Sequence, residues 1–246
     1  MIIRKTGLRN FLSAVGALAA SATVANAQDG RWTYAASIYL FAAETTTQIG
    51  SVESKLSFSD ALENLDMAFM GAFEASNDQW SFGLDYMYTN LGFTGDTPGN
   101  VFSSAETSLK TQILTGFVAY RVLENQNASV DVAGGFRYFD TETELNLVGG
   151  PPVPSVTASE DWIDPIIGVR ANMRFSDRWS GTAFLDYGGF DGDSETWQVL
   201  LSADYALNEN WDLRFGYRYL DVENTISGTD FSFEQSGPIF GATYRF

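Results

Sequence analysis

The chain has 246 residues, with 31 acidic against 14 basic side chains, a net charge of −17, and neither cysteine nor histidine. So acidic a surface repels nucleic acid and anionic lipid and attracts divalent cations. The missing cysteine excludes a disulfide framework and thiol metal sites, and the missing histidine excludes an imidazole base and deprives zinc of its usual ligands. Aromatic residues nevertheless reach 15%, and the reason lies in where they fall along the chain.

Arg4, Lys5 and Arg9 form a basic start, "FLSAVGALAA" is a short apolar stretch, and "ANA" at Ala25 to Ala27 is a small-x-small cleavage site. These three parts predict a signal peptide over residues 1–27, removed on export, and a single mature domain over 28–246. The apolar stretch is well short of the roughly 20 residues that cross a bilayer as a helix. Because residues 1–27 hold three basic and no acidic residues, the mature chain carries 11 basic and 31 acidic residues and a net charge of −20. Beyond the signal, charges and glycines interrupt every apolar run, so no membrane helix is expected. An architecture that crosses lipid with alternating strands is a closed β-barrel, lipid-facing and lumen-facing residues taking turns.

A hairpin repeat supports it. "DGRW", "NDQW", "SDRW" and "NENW" each carry a polar turn into a tryptophan, Trp32, Trp80, Trp179 and Trp211, and "NQNA" ending at Ala128 keeps the turn without the tryptophan. Short Asn, Asp and Ser turns close hairpins, and tryptophan favours the membrane interface. These tryptophans are expected to form an interface girdle where five strands start.

In chain order the predicted strands are 31–42, 66–76, 79–91, 105–122, 128–144, 160–175, 179–190, 195–207, 210–222 and 231–246. Ahead of the second, "TTTQIGSVESKLS" looks extended and prolongs the first hairpin. Phe58, Leu62, Leu65 and Phe69 follow helical spacing in "FSDALENLDMAF", and Asp60 with Glu63 resembles a capping pair, so a short helix is expected near 59–65. It either enters the barrel mouth as a partial plug or rests on the rim. Trp80, Phe82, Leu84, Tyr86 and Tyr88 share one face of the third strand, and Trp211, Leu213, Phe215, Tyr217 and Tyr219 one face of the ninth. The fourth strand has apolar residues at both parities, and reading Leu109, Ile113 and Phe117 outward leaves Leu114, Val118 and Tyr120 facing the lumen. The fold class is thus all-β, an antiparallel up-and-down transmembrane barrel of about ten strands, with eight or twelve as alternatives. The longer connections, 43–65, 92–104, 145–159, 191–194 and 223–230, fall at the end opposite the short turns.

The last strand ends "FGATYRF". Taken with the "ANA" signal and the alternating strands, the chain resembles the small bacterial outer-membrane β-barrel family, the broad group with OmpA-like and OmpW-like barrels. The resemblance covers the whole mature chain. It implies that Phe240, Tyr244 and Phe246 are the signal read by the barrel-assembly machinery, that the short turns are periplasmic, and that the protein lies in the bacterial outer membrane. Ten strands exceed the eight of OmpA-like and OmpW-like members, and no motif picks out a subfamily or a cargo.

Alternation assigns Glu74, Asp85, Asp131, Asp164, Asp186, Asp204 and Asp212 to the lumen, with Lys110, Arg137, Arg170, Arg174, Arg214, Arg218 and Arg245. A selective pore would show one sign, whereas this balance suits paired charges filling a narrow interior, arginine forking onto carboxylates. Acidic loops such as Glu160 with Asp161, or Asp191, Asp193 and Glu195, offer oxygens to calcium but lack the twelve-residue calcium-loop pattern. The proteolytic and lipid-modifying barrels comparable with this chain use histidine, which is absent here. The expected protein is a non-enzymatic, cofactor-free, monomeric outer-membrane barrel with a structural or surface-interaction role and a narrow or plugged lumen. Its partners are outer-membrane lipid, lipopolysaccharide, the assembly machinery and divalent cations at the loops, with no nucleic acid. The alternative is a small passive channel.

Overall fold

The structure, a computed structural model, describes residues 32–49, 52–95, 97, 101–190, 192–226 and 228–246. The expected signal peptide lies outside the described residues. Twelve strands and one helix follow in order: β1 (Thr33–Phe41), β2 (Glu44–Ile49), β3 (Val52–Leu56), α1 (Phe58–Glu63), β4 (Leu65–Ser76), β5 (Trp80–Gly95), β6 (Ser104–Glu124), β7 (Ala128–Val148), β8 (Val156–Arg174), β9 (Trp179–Gly188), β10 (Ser194–Ala206), β11 (Trp211–Ile226) and β12 (Thr229–Arg245). Ten of them, β1 and β4 to β12, pair antiparallel in sequence order, and β1 closes the ring on β12 with Ser37 opposite Thr243. Closure leaves no open edge within the ring's continuous part, which is what backbone polar groups in hydrocarbon require.

The recurring turn has one mechanism. The side-chain oxygen of Asn77 accepts the N–H groups of Gln79 and Trp80, Asn125 those of Asn127 and Ala128, Ser176 those of Arg178 and Trp179, and Asn208 those of Asn210 and Trp211. Each turn thereby satisfies two backbone donors locally and reverses the chain within three residues. The tryptophans after three of these turns, and Trp32 just ahead of β1, lie on the outer face against a second ring: Trp32 on Phe82, Trp80 on Tyr120, Trp179 on Tyr205 and Trp211 on Tyr244. This is the girdle at the short-turn end, half apolar and half wet as an interface needs.

Above the girdle the outer face is apolar. Ile38, Phe69, Phe82, Leu84, Ile163, Ile167, Leu185, Leu201, Phe215 and Phe240 are all exposed, on eight of the ring's ten strands. In water such a continuous band would be an aggregation surface; in lipid it is the driving term, at roughly 25 cal/mol per Å² removed from water. Among the described residues no helix is long and apolar enough to cross a membrane.

At the long-loop end the β2–β3 hairpin continues β1 upward. β2 pairs with the upper half of β12, Thr45 opposite Gln235, and β3 pairs only with β2. Lys55 bonds to Glu44 at 2.7 Å across it, and that hydrogen bond holds the ammonium above its ordinary range. The helix covers 58–63 and is capped by Ser57, whose hydroxyl accepts the Asp60 N–H and donates to the Asp60 carboxylate. Glu63 takes no part, which corrects the expected capping pair. The helix buries none of its residues, so it is a rim element and not a plug; its apolar side chains, Phe58 and Leu62, stay exposed. Replacing Phe58–Glu63 with a Gly-Ser linker is expected to leave the folded fraction unchanged on a heat-modifiability gel, and a loss of the folded band would show that α1 supports the wall.

Candidate functional site in the barrel interior

The pleat decides which side chains enter the barrel: odd residues on β1, β5, β6, β7 and β12, even residues on β4 and β8 to β11. They form three storeys.

The lowest, nearest the short turns, is ionic and partly open. Arg214 Nε donates to Asp204 at 2.6 Å, Arg245 pairs with Asp212 at 2.6 Å, and Ser37 meets Thr243 at 2.7 Å over the closing seam. Deeper in, Asp131 accepts from Arg121, Arg170 and Asn172, while Arg170 also reaches across to Glu74 at 2.9 Å and to Ser81 at 2.8 Å. Arg170 lies against the Phe117 ring, 5.6 Å from its centre. A cavity of about 770 Å³ occupies this storey and reaches up to Asp85, Gln198, Leu200 and Arg218.

The middle storey is largely buried. Arg137, fully buried, donates from all three nitrogens, Nε to Thr115 (3.1 Å), Nη1 to Thr196 (3.0 Å) and Nη2 to Asp186 (2.8 Å), and Gln198 donates to the second Asp186 oxygen at 2.9 Å. Arg218 spans the lumen to Asp85 at 3.2 Å, donates to the Tyr39 hydroxyl at 3.0 Å, and sits over the Tyr39 and Phe41 rings. Tyr39 in turn donates to both Asp85 oxygens, at 2.9 and 2.7 Å. Asp164 accepts from Ser194 at 2.6 Å and from the Trp162 indole at 3.2 Å. Buried charges survive where geometry is good and the remaining lone pairs and protons are satisfied. Arg218 Nε is the exception among the described residues, a buried donor without a partner.

One pleat higher, toward the long loops, the interior is apolar. Phe41, Met70, Met87, Ile113, Phe139, Leu220, Val222 and Ile239 form one buried cluster, with Tyr39, Trp162, Leu200 and Phe233 packed on it. Phe139 and Trp162 stack at 4.8 Å, and Trp162 meets Phe231 from across the mouth at 6.0 Å.

Thirteen of the fourteen residues assigned to the lumen by alternation carry inward parity. Lys110 does not: β6 runs without a bulge from Ser104 to Arg121, and Ile113, Thr115 and Ala119 are its buried side chains. Lys110 therefore lies on the outer face, paired with Glu142 at 3.0 Å. The same reversal brings Ile113 and Phe117 inside and puts Val118 and Tyr120 outside. Its physical reason is Gly83 and Gly135, which flank Phe117 on β5 and β7; a Cβ on Gly83 would collide with the Phe117 ring. Arg121, overlooked by the sequence reading, takes the inward place on β6. Arg174 is exposed at the short-turn mouth, bordering the cavity. Among the described residues no group of three or more carboxylates is placed to hold a metal ion, and Asp191 lies outside those residues.

The apolar storey was also overlooked, although the sequence marks it. Asp85-Tyr86-Met87, Arg137-Tyr138-Phe139 and Arg218-Tyr219-Leu220 each place a charge inward, a tyrosine outward and an apolar residue inward again, so three strands change storey at one level.

A closed antiparallel ring with an apolar outside, an aromatic girdle and a polar-to-apolar inside has the architecture of an integral outer-membrane β-barrel. By fold the chain stands with the small bacterial outer-membrane β-barrels, no subfamily being singled out. No protein-family model matches it, and no curated protein matches it. Among solved structures it is similar to the outer membrane protease OmpT from Escherichia coli, at 12% identity and a TM-score of 0.57, over 92% of this chain and 99% of that one. The translocator domain of the autotransporter NalP from Neisseria meningitidis aligns at 16% identity and 0.46 over 97% and 96%, and the attachment invasion locus protein Ail of Yersinia pestis at 14% and 0.42 over 89% and 100%. These identities speak to fold alone.

Proposed function

We propose that this protein is a non-enzymatic, monomeric outer-membrane barrel, closed to free solute passage, whose working surface is the strand extensions that stand beyond the membrane. The observation that carries this reading is the stacking of two filled layers: a hydrogen-bonded ionic layer directly below an apolar one, spanning the lumen from β1 and β5 to β11 and from β7 to β10. Water entering the apolar layer would find no partners, and an ion would lose its hydration without replacement. Outer-membrane lipid and lipopolysaccharide surround the apolar band, and the assembly machinery reads Phe240, Tyr244 and Phe246. Divalent cations at the acidic loops serve as counterions to the −20 of the mature chain.

A passive channel is the second reading, favoured by the 770 Å³ cavity at the periplasmic end. Planar-bilayer recording separates the two. The refolded mature protein is expected to give no open steps, and Phe139→Ala combined with Leu220→Ala is expected to leak. Stable, sizeable steps from the unaltered barrel would overturn closure.

A further inference from the structure

The barrel wall is not level. β9 has 10 residues, the length of a single membrane crossing, whereas β8 has 19 and β7 has 21. β9 pairs with β8 only from Ile166 downward, its last partner being Gly188. Two glycines at positive φ, Gly189 and Gly192, then turn the chain sharply into β10. Above that turn, Val156–Pro165 of β8 pairs with β7 alone, and no described strand covers its other edge.

The direction of the free groups follows from two bonds. Pro165 O accepts Gly189 N–H, so odd residues of β8 aim their backbone toward the vacated side, while Glu160 O accepts from Thr141 of β7 on the other. Thr157, Ser159, Asp161 and Ile163 thus present an unpaired ladder. Such an edge is a template for another strand. At its base the turn is pinned by Ser194 on Asp164, and beside the turn opens a cavity of about 600 Å³. Asp193, Glu195, Glu223 and Asp230 line it together with Tyr187 and Phe190, and no lysine or arginine is among its described lining residues.

We propose that this edge and the cavity beside the turn at its base bind an extended basic peptide segment of a partner, which adds a strand to β8 and sets lysine or arginine side chains among the carboxylates. Charge selects the occupant: Asp161 on the outer face and Glu160 on the inner one give both faces of an added strand an acidic neighbour, and the cavity adds four more carboxylates. A second copy of the chain, paired edge to edge, would bring these acids against their own likes, which is destabilising. The proposal rests on the surface-interaction reading of the barrel.

The test uses the refolded mature barrel in zwitterionic detergent and a fluorescent, end-capped peptide of alternating Lys and Thr, followed by anisotropy. Saturable binding is expected. N-methylation of alternate peptide bonds, or Ser159→Pro in the barrel, is expected to weaken it by about tenfold or more, since each removes ladder bonds on the free side only. Asp161→Lys, which leaves every backbone donor in place, is expected to weaken it as well, with the heat-modifiable folded band retained in both variants. Binding that does not saturate, or that ignores N-methylation and both substitutions, overturns the proposal even where the bilayer recordings are silent and closure stands. A barrel dimer lost on Ser159→Pro would also overturn it, assigning the edge to a second copy.

Discussion

Asp186→Ala is expected to reduce the stability of the folded barrel by about 3–5 kcal/mol, read as a lower urea midpoint for loss of the heat-modifiable band. The substitution leaves Arg137 in place, fully buried, with its Nη2 donor facing a void and Gln198 without its acceptor. Most of that loss is the cost of a stranded charge and not the worth of the pair. Replacing both partners, Arg137→Met with Asp186→Leu, is therefore expected to recover most of the stability while abolishing the bonds to Thr115 and Thr196. A single Asp186→Ala variant within about 1 kcal/mol of the unaltered barrel would mean that water reaches the middle storey, since only hydration makes an unpaired guanidinium so cheap.

Phe246→Ala, or deletion of Phe246, is expected to lower the amount of assembled barrel in the outer membrane several-fold, far more than it lowers stability in detergent. The folded-state contacts of this residue are modest. Its ring lies 5.9 Å from Tyr34 and from Tyr244 and 6.4 Å from Phe73, and its backbone exchanges two hydrogen bonds with Tyr34. Ring contacts of this kind contribute roughly 0.5–1.5 kcal/mol each, so refolding from urea should remain nearly complete. Quantifying the heat-modifiable species from cell envelopes and from detergent refolding in parallel separates recognition from packing. Equal losses in both would remove the recognition role from Phe240, Tyr244 and Phe246.

Much of the fold was legible because the membrane imposes a two-residue period and the turns repeat a chemical device. Trp80 to Tyr86 and Trp211 to Tyr219 keep one polarity per face, and their facing was read without ambiguity. Where both faces are apolar, as in Leu109 to Arg121, the period carries no sign, and only the glycines on the adjoining strands reveal that Phe117 points inward. Pairings across the lumen were out of reach for another reason. Arg170 and Glu74 are 96 residues apart, and Arg218 and Met87 are 131 apart; which inward residues meet depends on the strand tilt and shear of the closed ring, quantities to which no local pattern is sensitive. The unequal wall was hidden as well, because polar strand extensions such as Thr141 to Leu147 alternate without needing to bury either face.

The seam between β1 and β12 also sets an order of events in time. Every other pairing in the ring joins strands adjacent in the chain or separated only by the β2–β3 excursion, so those hairpins form as soon as both arms exist. The seam joins Ser37 to Thr243, 206 residues away, and loop-closure entropy places such a contact last. Until β12 docks, β1 and β11 each keep one unsatisfied edge, and a ring lacking β12 cannot settle into a smaller one with the same register. Completion is consequently all-or-none: β12 is the latch.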